Sequence, residues 1–264
     1  MFKSAVITVM EEAVLKAANA IVRDFGELEN LQVSRKGPRD FVTSADKKAE
    51  KIIIKALQKA RPDYGFLTEE SGVIKGENEK YRWILDPIDG TTNFMHGIPH
   101  FCTSLALEET QAGGRKEIIA AVIFSPILNE MFIAEKGEGA YLNERKLRVS
   151  GREKLSDCTV AAYLRNSASE GEITNFPNIP SNYRILGAAA LDLAYVAAGK
   201  LDGFWHKNLK SWDKAAGILL VREAKGMVSE INGGSNVIED GNILATNGQI
   251  YDKLRPIIHN HYKK

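Results

Sequence analysis

The sequence predicts an α+β protein that folds as one domain over residues 1–264, with an N-terminal α+β half (1–149) and a C-terminal α/β half (150–264). Three observations carry this expectation. Near the N-terminus apolar residues recur at intervals of three and four, the pattern of an amphipathic helix. The middle of the chain reads as a run of short apolar strands separated by turn residues, an antiparallel meander. Beyond the middle, strands and helices alternate. No internal repeat, low-complexity run or flexible linker interrupts the chain, and its composition does not shift between the halves, so one globule is expected.

In chain order, residues 4–22 form the first helix, with Val6, Val9, Met10, Val14, Ala17, Ala18, Ile21 and Val22 on its apolar face and Gly26 near its end. The following residues, including Lys36-Gly37-Pro38-Arg39-Asp40, read as a polar loop. A second helix then carries Ile52, Ile53, Ala56 and Leu57, and Thr43 and Asp46 have the spacing of a capping box, with Asp in place of the preferred Glu or Gln. A strand at 64–68 delivers Glu69 and Glu70, and residues 72–80 read as a charged surface flap. Trp83 to Leu85 form a buried strand that Pro87 is expected to end. Strands follow at 102–107, 118–124, 131–134, 140–142 and 146–149, with turns at Gly113-Gly114, Ser125-Pro126, Gly137 and Asn143-Glu144. The C-terminal half offers a strand at 159–164, a polar connection at 167–181 and a small-residue helix at 187–199. It continues with a strand at 203–205, a helix at 212–224, strands at 227–231 and 243–246, and a last helix at 249–258.

Composition excludes several classes of function. Lys and Arg number 35 against 34 Asp and Glu, a net charge of +1, so no global basic field points to nucleic acid. The two cysteines, Cys102 and Cys158, lie far apart with no zinc-like Cys or His spacing, which fits a reducing cytoplasm. No stretch reaches the ~18 consecutive apolar residues needed to span a bilayer. A soluble, untargeted cytoplasmic protein is expected.

Chemistry concentrates where apolar elements end in acids. In Trp83-Ile84-Leu85-Asp86-Pro87-Ile88-Asp89-Gly90-Thr91-Thr92-Asn93 a strand runs into two acids, a glycine and two hydroxyls. Gly90 permits close approach of backbone to a ligand, and Thr91 and Thr92 stand where a helix start would offer amides to phosphate. Glu69, Asp46 and Asp213 are further acids at element ends. Singly, each has an ordinary reading as a turn, a cap or a solvated strand end. Together they are the oxygen ligands a hard divalent cation needs, and two such ions about 3.5 to 4 Å apart suit in-line displacement at phosphorus.

The segments Asp86-Pro87-Ile88-Asp89-Gly90-Thr91-Thr92-Asn93-Phe94 and Trp212-Asp213-Lys214-Ala215-Ala216-Gly217 resemble the two signatures of the inositol monophosphatase family. Thr68-Glu69-Glu70-Ser71 and Asp40-Phe41-Val42-Thr43-Ser44-Ala45-Asp46 fall in the expected places, and the resemblance extends from about residue 5 to 258. Ala189-Ala190-Leu191-Asp192-Leu193-Ala194-Tyr195-Val196-Ala197-Ala198-Gly199 is especially similar to the bacterial SuhB-like (extragenic suppressor protein) branch.

The resemblance implies a layered αβαβα sandwich of the inositol monophosphatase/fructose-1,6-bisphosphatase type and a Mg2+-dependent phosphomonoesterase for small polyol or sugar phosphates. Inositol 1-phosphate is the first substrate to test. It also implies that Glu69, Asp86 and the Ile88 carbonyl hold one Mg2+, that Asp86, Asp89 and Asp213 hold a second, and that a third leans on Glu69 and water. Thr91 and Glu69 would orient the attacking water, Asp46 would fix Thr91, and Lys36 would stand near the active site. Gly90 and Thr91 would bind phosphate through their amides, and Asp89, Gly187, Ala189 and Asp213 would meet substrate hydroxyls. His206 departs from the family, which usually has glutamate at this position seven residues before Asp213. Because neutral His offers one donor and one acceptor, preference for inositol phosphate is open. Fructose 1,6-bisphosphate, histidinol phosphate and adenosine bisphosphates remain alternatives. A homodimer, lithium inhibition and, from the SuhB-like branch, a protein partner in the transcription machinery are further implications.

Overall fold

The N-terminal periodicity becomes α1 (Ala5–Gly26), whose stripe Ile7, Met10, Val14, Ala17 and Ile21 is buried. Ser4 caps it, its Oγ accepting from the Ile7 amide at 3.3 Å and satisfying a donor that the first turn leaves without a helical acceptor. The structure is a computed structural model and describes residues 3–28, 33–37, 40–163 and 182–262. α2 (Ser44–Ala60) starts with the expected capping box. The Thr43 amide donates to Asp46 Oδ2 at 2.8 Å, and the Asp46 amide donates back to Thr43 Oγ1 at 3.4 Å.

An eight-stranded sheet lies beneath these helices. Its strands are β3 (Tyr64–Thr68), β4 (Gly72–Ile74), β5 (Asn78–Asp89), β6 (Cys102–Thr110), β7 (Lys116–Ser125), β8 (Glu130–Glu135), β9 (Gly139–Leu142) and β10 (Arg145–Lys146). They run in the order β10-β9-β8-β7-β6-β5-β3-β4, and every pair is antiparallel except β3 with β5. A five-stranded sheet of β11 (Thr159–Tyr163), β12 (Asn182–Arg184), β13 (Gly203–His206), β14 (Met227–Ser229) and β15 (Ile243–Thr246) has the order β12-β11-β13-β15-β14. The helices α3 (Thr91–Met95), α4 (Ala189–Ala197), α5 (Ser211–Glu223) and α6 (Tyr251–Tyr262) complete the chain.

The two-residue period of a strand explains the layering. Along β5, Trp83 and Leu85 enter a core shared with α1 and α2, whereas Ile84 between them enters a core shared with α4 and α5. That second core continues to Ala161, Phe204 and Ala245 of the smaller sheet. The opposite face of the smaller sheet, with Val160, Ala162, Trp205 and Leu244, closes on Ile250, Leu254 and Ile258 at α6. The result is the layered αβαβα sandwich, with helices on both faces of each sheet. Among the described residues no helix is long and apolar enough to cross a membrane.

Several local expectations change. The polar segment after α1 contains an antiparallel pair, β1 (Val33–Gly37) and β2 (Asp40–Thr43), instead of a loop throughout, with Ser34 opposite Val42. The flap at 72–80 is largely strand, because Gly72, with φ +70°, turns the chain so that β4 pairs back on β3 and β5 begins at Asn78. Pro87 does not end β5. Having no N–H, it interrupts the ladder to β6 between Asp86 and Asp89, and pairing resumes at Asp89 opposite Cys102. In place of a strand over 146–149, the chain forms only the two-residue β10 (Arg145–Lys146), which includes just residue 146 of that stretch. α4 starts at Ala189, because Gly187 has φ +90° and Ala188 is extended. The connection at 167–181 and Leu164 lie outside the described residues.

The small residues of α4 allow a close approach to α5. A Cβ on Gly217 would stand 2.5 Å from Leu193 Cβ, at the stiff root of that side chain. Gly217→Ala is therefore expected to destabilise by about 1–3 kcal/mol through overpacking. Urea unfolding checks this, and an unchanged midpoint would show that the helices separate freely.

Candidate active site

β3 and β5 end side by side because they are parallel and in register, Thr68 opposite Leu85, and the Glu69 amide donates to the Leu85 carbonyl at 3.2 Å. Glu69 and Asp86 thus emerge as neighbours. On the other side of Asp86, Ser104 of β6 is its register partner, and Ser104 Oγ donates to the Trp212 carbonyl at 3.2 Å. That bond sets the first turn of α5, and with it Asp213, over the same row. Asp213 Oδ2 accepts from the Lys210 amide at 2.8 Å, so one oxygen caps its own helix.

The interrupted ladder around Pro87 sends Asp89 toward α4. Asp89 Oδ1 accepts from the Ala189 amide at 3.2 Å and Oδ2 from the Ala190 amide at 2.7 Å. α4 has no side-chain cap of its own from Ala188, so a carboxylate about a hundred residues earlier supplies it. Cys102 Sγ lies 3.8 Å from Asp89 Oδ2 on the adjacent strand.

Asp86 and Asp89 are buried, with the half-buried Glu69 and Asp213 beside them. Asp86 is 2% exposed, and its Oδ1 is enclosed without a hydrogen-bond partner. Burial, then the charges of Glu69, Asp89 and Asp213, push the Asp86 pKa well up. Burial and Asp213 likewise raise Asp89, against the opposing pull of the Ala190 and Ala189 amides. Burial also raises the Cys102 thiol, followed by Asp89 and Asp86. Repulsion of this kind is relieved by protons or by cations. Oxygen donors with an orphaned buried carboxylate oxygen among them suit a hard cation. Among the described residues, no three His, Cys, Asp or Glu side chains form a closed ligand set as they stand.

Beside the acids lies a hydroxyl. Thr91 Oγ1 is 3.3 Å from Asp46 Oδ1 and 3.1 Å from the Ile88 carbonyl, so its single proton has two acceptors. Burial is the largest influence on Asp46 and raises its pKa to about 6 against the lowering effect of its bonds with Thr43. Gly90 joins the acids to α3 at φ +93°, where a Cβ would meet Ala188 Cβ at 3.0 Å and the His100 carbonyl at 3.1 Å. Only glycine satisfies both demands.

Other predicted residues are placed less directly. Lys36 lies on β1, and its side chain is outside the described residues. β2, the partner of β1, packs on α3. Gly187 stands against the Asn93 side chain, where an added Cβ would be 3.1 Å from Nδ2. His206 ends β13 between Tyr163 and Ile243 and is 1% exposed.

Supporting residues were not singled out by the sequence. Glu50, buried on α2, accepts from the Glu70 amide at 2.9 Å and from the Ser71 hydroxyl, steadying the turn after Glu69. Asn93 Nδ2 donates to the carbonyls of His100 and Leu186, each at 2.7 Å. Lys214 is fully buried beside Asp213 and donates to the Asp240 carbonyl, and burial lowers its pKa to about 8. A charged residue inside an apolar helical stripe was the available signal for Glu50 and Lys214.

The chain is similar to known proteins over nearly its whole length. The profile of the inositol monophosphatase family matches residues 3–263. The inositol-1-monophosphatase of Mesorhizobium japonicum is 49% identical over 260 residues, 96% of either chain. Nus factor SuhB of Escherichia coli (strain K12) is 41% identical over 251 residues, 92% of either chain. Among solved structures, extragenic suppressor protein suhB from Bartonella henselae superposes with a TM-score of 0.91 at 51% identity, covering 97% of this chain and 98% of that one. With acids, hydroxyl and glycine of both signatures drawn to one end of the large sheet, the chain belongs to the inositol monophosphatase family and is a phosphoric monoester hydrolase.

Proposed function

We propose that the chain hydrolyses a small polyol phosphate, inositol 1-phosphate foremost, with two or three Mg2+ ions held by Glu69, Asp86, the Ile88 carbonyl, Asp89 and Asp213. The observation that carries this reading is the gathering of carboxylates that repel the buried Asp86, one of whose oxygens has no protein partner. Similarity to inositol-1-monophosphatases supports the substrate.

Bound Mg2+ supplies Lewis acidity, lowering the pKa of water and neutralising phosphoryl oxygens. The chain's own groups do the rest. Glu69, with Thr91, orients the attacking water for in-line approach, and Asp46 holds the Thr91 hydroxyl. The amides of Gly90 and Thr91, at the start of α3 where no helical acceptor is available, bind the phosphate. Asp89, Gly187, Ala189 and Asp213 contact the substrate hydroxyls. Asp89 and Ala189 are already bonded to each other, so the substrate would meet a preset pair. Lys36 would add a cation near the site, and His206 would replace the family's usual glutamate in sensing the polyol.

The similarity to Nus factor SuhB favours a second, compatible reading, in which a homodimer of this chain in the cytoplasm also binds a protein of the transcription machinery. Rescue of a growth defect by a catalytically dead variant supports it, and rescue by active protein alone counts against it.

Asp213→Asn keeps an oxygen for the Lys210 amide and removes the charge, so turnover should fall by at least about a hundredfold with the fold retained. Phosphate release from inositol 1-phosphate with Mg2+ measures this, and near-wild-type turnover in the folded variant removes Asp213 from the site. Raised carboxylate pKa values also mean that protons compete with the cation. Asp86 and Asp89 are protonated in the folded chain at pH values where an unperturbed Asp is ionised. The rise in melting temperature produced by Mg2+ should therefore be larger at about pH 7.5 than at about pH 5. Scanning fluorimetry decides the point; equal shifts at both pH values would place the cation elsewhere.

A further inference from the structure

His100 follows α3 and reaches across to α4. Its Nε2 lies 2.9 Å from Asp192 Oδ1, with the Asp192 side chain 1% exposed and the His100 side chain 15%. An ionised carboxylate only accepts, so the assignment is an Nε2–H donor. The ring also packs edge-on against Tyr195 of α4, centroids 5.5 Å apart at 70°. The His100 backbone is held as well, because its carbonyl accepts from Asn93 Nδ2, and the same amide group donates to Leu186 just before α4. Side chain and backbone of one residue thus fasten the segment after α3 to the start of α4.

The start of α4 is what holds Asp89. Asp192 lies two and three residues beyond Ala190 and Ala189, whose amides grip the Asp89 carboxylate. The other buried residues of this helix, Ala189, Ala190, Leu191, Leu193, Ala194, Val196 and Ala197, have apolar side chains that fix no direction by hydrogen bonding. A rotation or slide of the first turn would move both amides while leaving much of that apolar packing intact. Asp192 is the polar side chain of the turn, and His100 is its partner.

We infer that His100, acting through Asp192, is a positioning residue that fixes the first turn of α4 and thereby holds the Asp89 carboxylate in the orientation that binds a divalent cation. Without His100, Asp192 is a buried acid lacking its partner, and the turn has reason to shift toward water.

This inference rests on the cation site proposed above, and calorimetric titration with Mg2+ separates the two. Wild-type protein that takes up no Mg2+ overturns the cation site itself. Given wild-type binding, His100→Phe, which keeps a ring and loses the donor, should weaken Mg2+ binding about tenfold, a typical loss for a group supporting a ligand. His100→Gln can present an N–H near the same place and should stay within about threefold of wild type. If the Phe variant does not fold, His100→Ala takes its place in the comparison. A lowered melting temperature with unchanged Mg2+ affinity in the folded variant would reduce His100 to a packing residue and overturn the inference, as would a Gln variant no better than Phe.

Discussion

Repulsion among buried carboxylates is the constraint on which this structure depends. Asp86, Asp89, Glu69 and Asp213 come from a strand end, an irregular ladder, a turn and a helix start, and the other three all raise the pKa of the buried Asp86. A chain folding for stability alone would not gather like charges around two acids, Asp86 and Asp89, that are buried from water. The surrounding bonds therefore restrain them. Ala189 and Ala190 amides hold Asp89, the Lys210 amide holds Asp213, and Glu50 holds the turn beyond Glu69. Rigid packing of two sheets and their helices supplies the frame in which that unfavourable arrangement persists.

The layers divide the work. Helices α1 and α2 close one face of the large sheet with aliphatic side chains and contribute Asp46 and Glu50 from the buried face of α2. Helices α4 and α5 fill the space between the sheets and bring their first turns to the corner where β3 and β5 end. The site is thus assembled at the ends of elements, while their middles form the core. This is the usual relation between a stiff scaffold and the loops that carry chemistry.

Much of the frame was legible in the sequence because it is written locally. Trp83, Ile84 and Leu85 announce a strand buried on both faces, and Thr43 with Asp46 announces a helix start. The family itself was legible in the segments around Asp86, Asp89 and Asp213. The β1–β2 pair was not, since its polar residues lack the alternation by which a half-buried strand is recognised. Pro87 misled in a different way, because proline forbids a ladder bond but not the resumption of pairing two residues later. His100, Asn93 and Asp192 act through partners far away in the chain, and no local pattern encodes a contact across ninety or more residues.

The bond from Asp89 to the start of α4 bears on the order in which the protein is made. It joins residues 100 apart, and Asp213 is added later still. During synthesis the N-terminal strands and their helices are available to collapse well before either partner leaves the ribosome. Contacts of such separation carry a large loop-closure cost and form late. A nascent or truncated chain would thus carry Asp86 and Asp89 as ordinary strand-end acids, and the reactive centre would come into being only with the nearly complete polypeptide.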